Sequence, residues 1–250
     1  MSFTQLQDIP SKNVILLVGP LGAGKANFCQ QTILQNLAMD RPIIYVTTER
    51  RASEAETALK ERGLGTIEPG LLHYVDAYSE TVGLSFSDRP DTVTTDCANL
   101  SSIGITISKL EDRIGKKGIL MVFDSLMSPY LLAGPEIIRF IRLTLFRFVA
   151  EGNAVLACMD EGCGKLEDLG AMMSLFNGVV KLERDEGKRV LNVMKHPTVA
   201  SMRIEVPDEK VWEEKVRDTR LWNREMYTRM FEADQSGRDS REFGFAVNVF

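Results

Sequence analysis

The sequence predicts an α/β fold: a mostly parallel sheet flanked by helices, with antiparallel strands near its C-terminal end. Three observations carry this expectation. Short, wholly apolar runs of branched residues, such as Val14-Ile15-Leu16-Leu17-Val18, suit strands buried on both faces. Stretches with helical spacing separate those runs, as parallel crossover units require. Two apolar runs late in the chain flank Glu186-Gly187, which reads as the turn of a hairpin.

The first run ends at Gly19 and a Gly-rich turn follows it. Phe28, Cys29, Ile33 and Leu37 then recur at helical spacing, which predicts a helix from about Asn27 to Met39. Pro42 precedes a second buried strand, Ile43 to Thr47. Ser53 to Arg62 reads as a helix with Ser53 as N-cap, Glu56 completing a capping box and Gly63 closing it. Leu71 to Asp76 reads as a third strand. Residues 79–99 are polar, contain Pro90 and lack periodicity, so a long functional or mobile loop is expected there.

The pattern resumes with a helix from about Ser101 to Ile114 and a strongly apolar strand, Ile119 to Asp124, that ends in an acid. Pro135 opens a helix running to about Glu151, stopped by Gly152-Asn153. Its Ile137–Phe148 stretch is apolar over more than one face, which places it against the sheet or at an interface. Ala154 to Met159 is the next strand, Val179–Glu183 and Arg189–Met194 form the hairpin, and Arg203–Val206 adds a short strand.

The chain therefore divides into a domain over residues 1–206 and a charged helical extension over 207–250. In the extension Trp212 and Val216, then Trp222, Met226 and Met230, line one helix face, which docks on the parent domain or meets a partner. Phe243 to Phe250 reads as a closing strand.

Composition bounds the function. Hydrophobic residues make up 44% of the 250 and charged residues 26%, which fits a folded globular chain. A formal charge of -5 gives no global attraction to nucleic acid or acidic membranes. Cys29, Cys97, Cys158 and Cys163 are scattered, with His73 and His196 far from them, so they read as reduced thiols rather than zinc ligands. No apolar stretch approaches the roughly 20 residues that span a bilayer, so the expected location is the cytoplasm.

The chemistry concentrates in Gly19-Pro20-Leu21-Gly22-Ala23-Gly24-Lys25-Ala26, set between the first strand and the first helix. It matches G-x-x-x-x-G-K-[ST], the phosphate loop, at every defined position except the last. Its glycines let successive backbone N–H groups face one anion, and the helix adds its positive N-terminal end. Lys25 is the mobile cation expected to reach the β- and γ-phosphates of a nucleoside triphosphate. At position 26 a hydroxyl normally ligates Mg²⁺, and a methyl group cannot; water fills the gap, with Asn27 a weaker assistant. Asp124, ending an apolar strand, is expected to hold the magnesium hydration shell through water. Thr47-Thr48-Glu49-Arg50 ends the second strand; Glu49 is either an ordinary loop acid or the acid that orients the attacking water.

Over about residues 12–206 the chain resembles the KaiC-like branch of the RecA superfamily. The likeness rests on Gly19–Ala26, Tyr45-Val46-Thr47-Thr48-Glu49, Val122-Phe123-Asp124-Ser125 and the hairpin leading to Lys195-His196-Pro197-Thr198. It implies a RecA-type P-loop fold, ATP with Mg²⁺, a catalytic role for Glu49, and a homo-oligomer such as a hexameric ring. In such rings a basic residue from the neighbouring subunit reaches the γ-phosphate, a role the resemblance gives to Lys195. Three departures stand out. Many relatives carry two adjacent acids where this chain has Glu49-Arg50, His196 replaces an expected arginine, and the usual stretch before the P-loop is missing. Together with Ala26 they point to ATP binding with weakened magnesium dependence and slow hydrolysis, in a regulatory or scaffold module with an unidentified protein partner. The alternatives are a competent ring ATPase and a recombinase-like accessory protein on DNA. Arg89 is the sole basic residue among the acids of the 79–99 loop, which disfavours the last.

Overall fold

A nine-stranded sheet with the order β4-β3-β2-β5-β6-β1-β7-β8-β9 organises the chain. The computed structural model describes residues 6–65, 68–84, 89–115 and 117–206. The helical extension and closing strand expected over 207–250 lie outside them.

The strands are β1 (Val14–Gly19), β2 (Ile43–Thr47), β3 (Leu72–Asp76), β4 (Thr92–Thr94), β5 (Leu120–Phe123), β6 (Ala154–Asp160), β7 (Gly178–Asp185), β8 (Lys188–Lys195) and β9 (Met202–Glu205). All neighbours from β4 to β7 pair in parallel, whereas β8 and β9 pair antiparallel. The expected architecture is thus present, including the antiparallel C-terminal strands and the turn at Glu186-Gly187. β4 falls inside the stretch expected to be an irregular loop. It is only three residues long and pairs along one edge with β3, too short for its alternation to register in sequence.

The helices are α1 (Lys25–Leu37), α2 (Ala52–Glu61), α3 (Leu100–Ile114), α4 (Met127–Ala133), α5 (Glu136–Phe140), α6 (Phe146–Ala150) and α7 (Leu166–Leu175). The apolar pattern does not announce α4 or α7. α4 has only two turns, with Pro129 in the first of them, and α7 carries Gly170 mid-helix, where glycine is a poor helix former. A π-helical turn, Ile141–Leu145, joins α5 to α6 where one continuous α-helix was expected. Ile137, Phe140, Ile141, Leu145 and Phe148 are buried in the core under the sheet, which accounts for the unusually apolar helix surface.

The start of α2 also differs from the expectation. Ser53 lies inside the helix, and the cap is Arg51, whose N–H donates to Glu54 Oε2 at 3.4 Å. The Ala52 N–H is satisfied by Asp76 Oδ2 at 3.0 Å, a carboxylate from the end of β3. A cap supplied by a distant strand leaves no local sequence signal.

Side-chain alternation assigns β1 to two layers. Val14, Leu16 and Val18 belong to the large core beneath α3 through α7. The opposite face meets α1, where Cys29 and Cys158 of β6 bring their sulfurs to 3.0 Å, both buried. α1 is therefore fixed against β6 as well as following β1, and this positions the loop between β1 and α1.

Candidate functional site

Parallel strands present their C-terminal ends along one edge of the sheet, and the candidate residues gather there. β1 runs into Gly19-Pro20-Leu21-Gly22-Ala23-Gly24, and α1 begins at Lys25. Gly24 is the helix cap, with φ 104°, a left-handed conformation that side chains other than glycine rarely tolerate. Gly19 is required for a different reason. A Cβ there would overlap the carbonyl oxygen of Leu182 and lie 3.2 Å from its carbon, so β7 passes the loop at backbone distance. No acid occupies the first turn of α1, so its N-terminal N–H groups keep their positive field.

Lys25 folds back over the loop. Its Nζ donates to Gly19 O at 2.9 Å and Pro20 O at 2.8 Å, and pairs with Asp160 Oδ1 at 2.6 Å. Asp160, at the end of β6, was not anticipated. Ala26 is exposed and Asn27 half-buried. Asn27 Oδ1 accepts from Arg62 Nη2 at 2.8 Å, which turns that amide toward the end of α2 and weakens its case as a magnesium assistant.

Asp124 follows β5 directly, and its N–H bonds Val46 O of β2. Its Oδ1 accepts from both the N–H and the hydroxyl of Thr48, at 2.9 and 2.8 Å. Burial raises its carboxyl from 3.8 to about 6; the Thr48 donors oppose that rise and the neighbouring Glu49 charge adds to it. Glu49 is exposed at the next position, in the bend that follows β2. Thr48 is thus the link that holds the two acids at adjacent strand ends, a role the sequence did not show.

This geometry carries a stability consequence. An acid whose pKa is higher in the fold than in the unfolded chain holds its proton more tightly when folded. Its ionisation therefore costs stability as pH rises from about 4 through about 6. A lift from 3.8 to about 6 corresponds to at most about 3 kcal/mol. Asp124→Asn should accordingly be more stable than the unsubstituted chain near pH 7.5, and the advantage should vanish near pH 4. Denaturant melts at both pH values check this; an equal difference at both would contradict it.

The hairpin contributes two further cations that sequence reasoning missed. Arg184 Nη2 donates to Gly22 O at 3.3 Å. Arg189 lies close enough to Gly24 that a Cβ there would be 3.1 Å from its Nη1. Gly24, Asn27, Phe28, Gln31, Leu182, Arg189 and Val206 line a small recess beside the loop, of about 10 Å³, room for roughly one water. Both arginines lie far along the sequence from the glycines, and only the β1–β7 pairing brings them near.

Lys195 lies apart. It sits opposite Val179, which pairs with Leu16, so it falls toward the N-terminal end of β1 rather than at the phosphate loop. Its Nζ donates to Phe176 O at 3.0 Å. Arg89, in the loop considered for DNA, pairs with Asp91 and Glu56 and stacks 5.6 Å from the Tyr74 ring centre. Among the described residues no group of three or more His, Cys, Asp or Glu is placed to hold a metal, and no helix is long and apolar enough to cross a membrane.

Comparison with known proteins agrees with this geometry. A UPF0273 protein of Methanopyrus kandleri is 29% identical over 184 residues, covering 71% of each chain. A UPF0273 protein of Pyrococcus furiosus is 38% identical over 80 residues, about a third of each chain. The crystal structure of a KaiC-like protein from Pyrococcus horikoshii superposes with a TM-score of 0.58 at 20% identity, covering 79% of this chain and 86% of that one, which supports the fold. The family profile described as "ATPase: KaiC" matches residues 3–219. With a P-loop between β1 and α1 of a RecA-type sheet, and a family match over most of its length, this chain belongs to the KaiC family of ATPases.

Proposed function

We propose that the chain binds ATP at Gly19–Ala26 and hydrolyses it slowly, acting as a nucleotide-dependent regulatory or scaffold module. The observation that carries this reading is the loop itself: left-handed Gly24 caps the acid-free N-terminus of α1, and the Lys25 ammonium folds back over the same turn.

The residues fit a triphosphate better than they fit its metal. Mg²⁺, when bound with ATP, neutralises phosphate charge, and Asp124 would hold a water of its shell. Ala26 offers no ligand. Glu49, exposed beside Asp124, is suited to orient the attacking water. Lys195 cannot approach the phosphates of its own chain from the far end of β8, which favours a role across a subunit interface in a homo-oligomeric ring. That placement is what sustains the second reading, a competent ring ATPase.

The test is a pair of substitutions. Ala26→Thr should raise the ratio of ATP affinity with magnesium to affinity with EDTA by about tenfold, roughly one charge-assisted ligand's worth, and should speed turnover. Glu49→Gln should abolish the turnover that remains. A threonine that moves neither metal dependence nor turnover would count against slow hydrolysis through a missing ligand. Rapid turnover by the unsubstituted chain, lost in Glu49→Gln, would establish the second reading instead.

A further inference from the structure

Strand order places Asp160 between the two halves of the site. β6 lies between β1, which ends in the phosphate loop, and β5, which ends beside Asp124. In register, Asp160 stands opposite Gly19. Its side chain is 14% exposed and that of Lys25 is 11% exposed, so water screens their 2.6 Å pairing only weakly.

A lysine ammonium has three protons to donate. Gly19 O, Pro20 O and Asp160 Oδ1 are three acceptors, enough to use all of them. A phosphate oxygen that reaches Lys25 must displace one of the three. The two carbonyls belong to the loop that wraps the phosphate. Asp160 comes from a separate strand, is the only charged acceptor of the three, and repels the arriving anion.

We propose that Asp160 sets affinity and specificity at the phosphate loop, as an internal anion that competes with the nucleotide for Lys25. The proposal rests on the reading of Gly19–Ala26 as a nucleotide site. Competition of this kind acts most strongly on a bare polyphosphate and less on one whose charge is partly neutralised by a divalent cation. Asp160 therefore favours metal-loaded over metal-free triphosphate. In most loops of this type the hydroxyl at the last motif position makes that distinction by direct ligation. Here position 26 is alanine, and the discrimination passes to an electrostatic device one strand away.

The full chain, Asp160→Asn and Asp160→Glu are titrated with ATP by calorimetry, in EDTA and in magnesium. Asp160→Asn keeps the shape and removes the charge. It should bind metal-free ATP about tenfold or more tightly than the unsubstituted chain, the effect of removing one charged competitor, with a smaller gain in magnesium. Asp160→Glu keeps the charge and should stay near the unsubstituted affinity. A purely structural role would give equal or weaker binding in both conditions and no gain. If Asp160→Asn does not fold, Asp160→Ser answers the same question, because it too lacks the charge. Unchanged or weaker metal-free binding by the neutral variant, while the unsubstituted chain binds ATP, overturns the competition and leaves the nucleotide reading intact. Absence of ATP binding by every variant in both conditions overturns the nucleotide reading itself.

Discussion

Gly19→Ala is expected to destabilise the chain by about 3 kcal/mol or more, a melting point roughly 6–12 °C lower for a domain of this size. The new methyl would overlap the Leu182 carbonyl oxygen, and backbone of a neighbouring strand cannot swing aside as a side-chain end can. Relief requires β7 to move away from β1, which breaks the parallel ladder from Ile15 to Val18 or distorts the loop that starts at Gly19. Nucleotide affinity should fall with stability, since strand and loop share the residue. A melting point within about 2 °C of the unsubstituted chain would show that β7 does not press on the loop. The sequence motif calls for glycine here on account of phosphates; the structure adds a packing reason that would hold without any ligand.

Lys25→Met should lower ATP affinity at least about 100-fold, because it removes the mobile cation and also leaves Asp160 facing the phosphates without its partner. The same change should cost stability, since a carboxylate only 14% exposed loses its counter-charge. The double variant Lys25→Met/Asp160→Asn separates these effects. It should regain most of the lost stability while regaining little of the binding, and a double-mutant cycle built on calorimetry and melts measures both couplings. Recovery of full ATP affinity in the double variant would mean that Lys25 acts only by neutralising Asp160.

The contrast between Gly19 and Asp160 shows what could be read from sequence and why the rest could not. Contiguous signals were legible: the apolar run of β1, the glycine turn and the start of α1 are neighbours in the chain, so local pattern and motif agree. Asp124 was found because an acid ending an apolar strand is also a local pattern. Asp160 ends such a strand too, but its importance depends on β6 inserting between β5 and β1, a choice of strand order that no periodicity encodes. Thr48, Arg184 and Arg189 were missed for the same reason, since each acts through a contact made by pairing across the sheet. The start of α2 repeats the lesson on the structural side: Ser53 has good local credentials, yet the Ala52 N–H is satisfied by the Asp76 carboxylate, 24 residues further along the chain. The π turn at Ile141–Leu145 reflects tertiary packing, with buried residues spread over a wide helix face and Leu143 left 58% exposed.

Ala26 and Asp160 together describe a phosphate loop in which control over the metal has moved from a ligating hydroxyl to a competing carboxylate. Both arguments stand on the loop being a nucleotide site. The most direct test is a calorimetric titration of the unsubstituted full chain with ATP, first with magnesium and then with EDTA. Saturable binding with one site per chain, present with magnesium and weaker in EDTA, is the result expected. No measurable binding in either condition would contradict it and leave the glycine loop a structural turn.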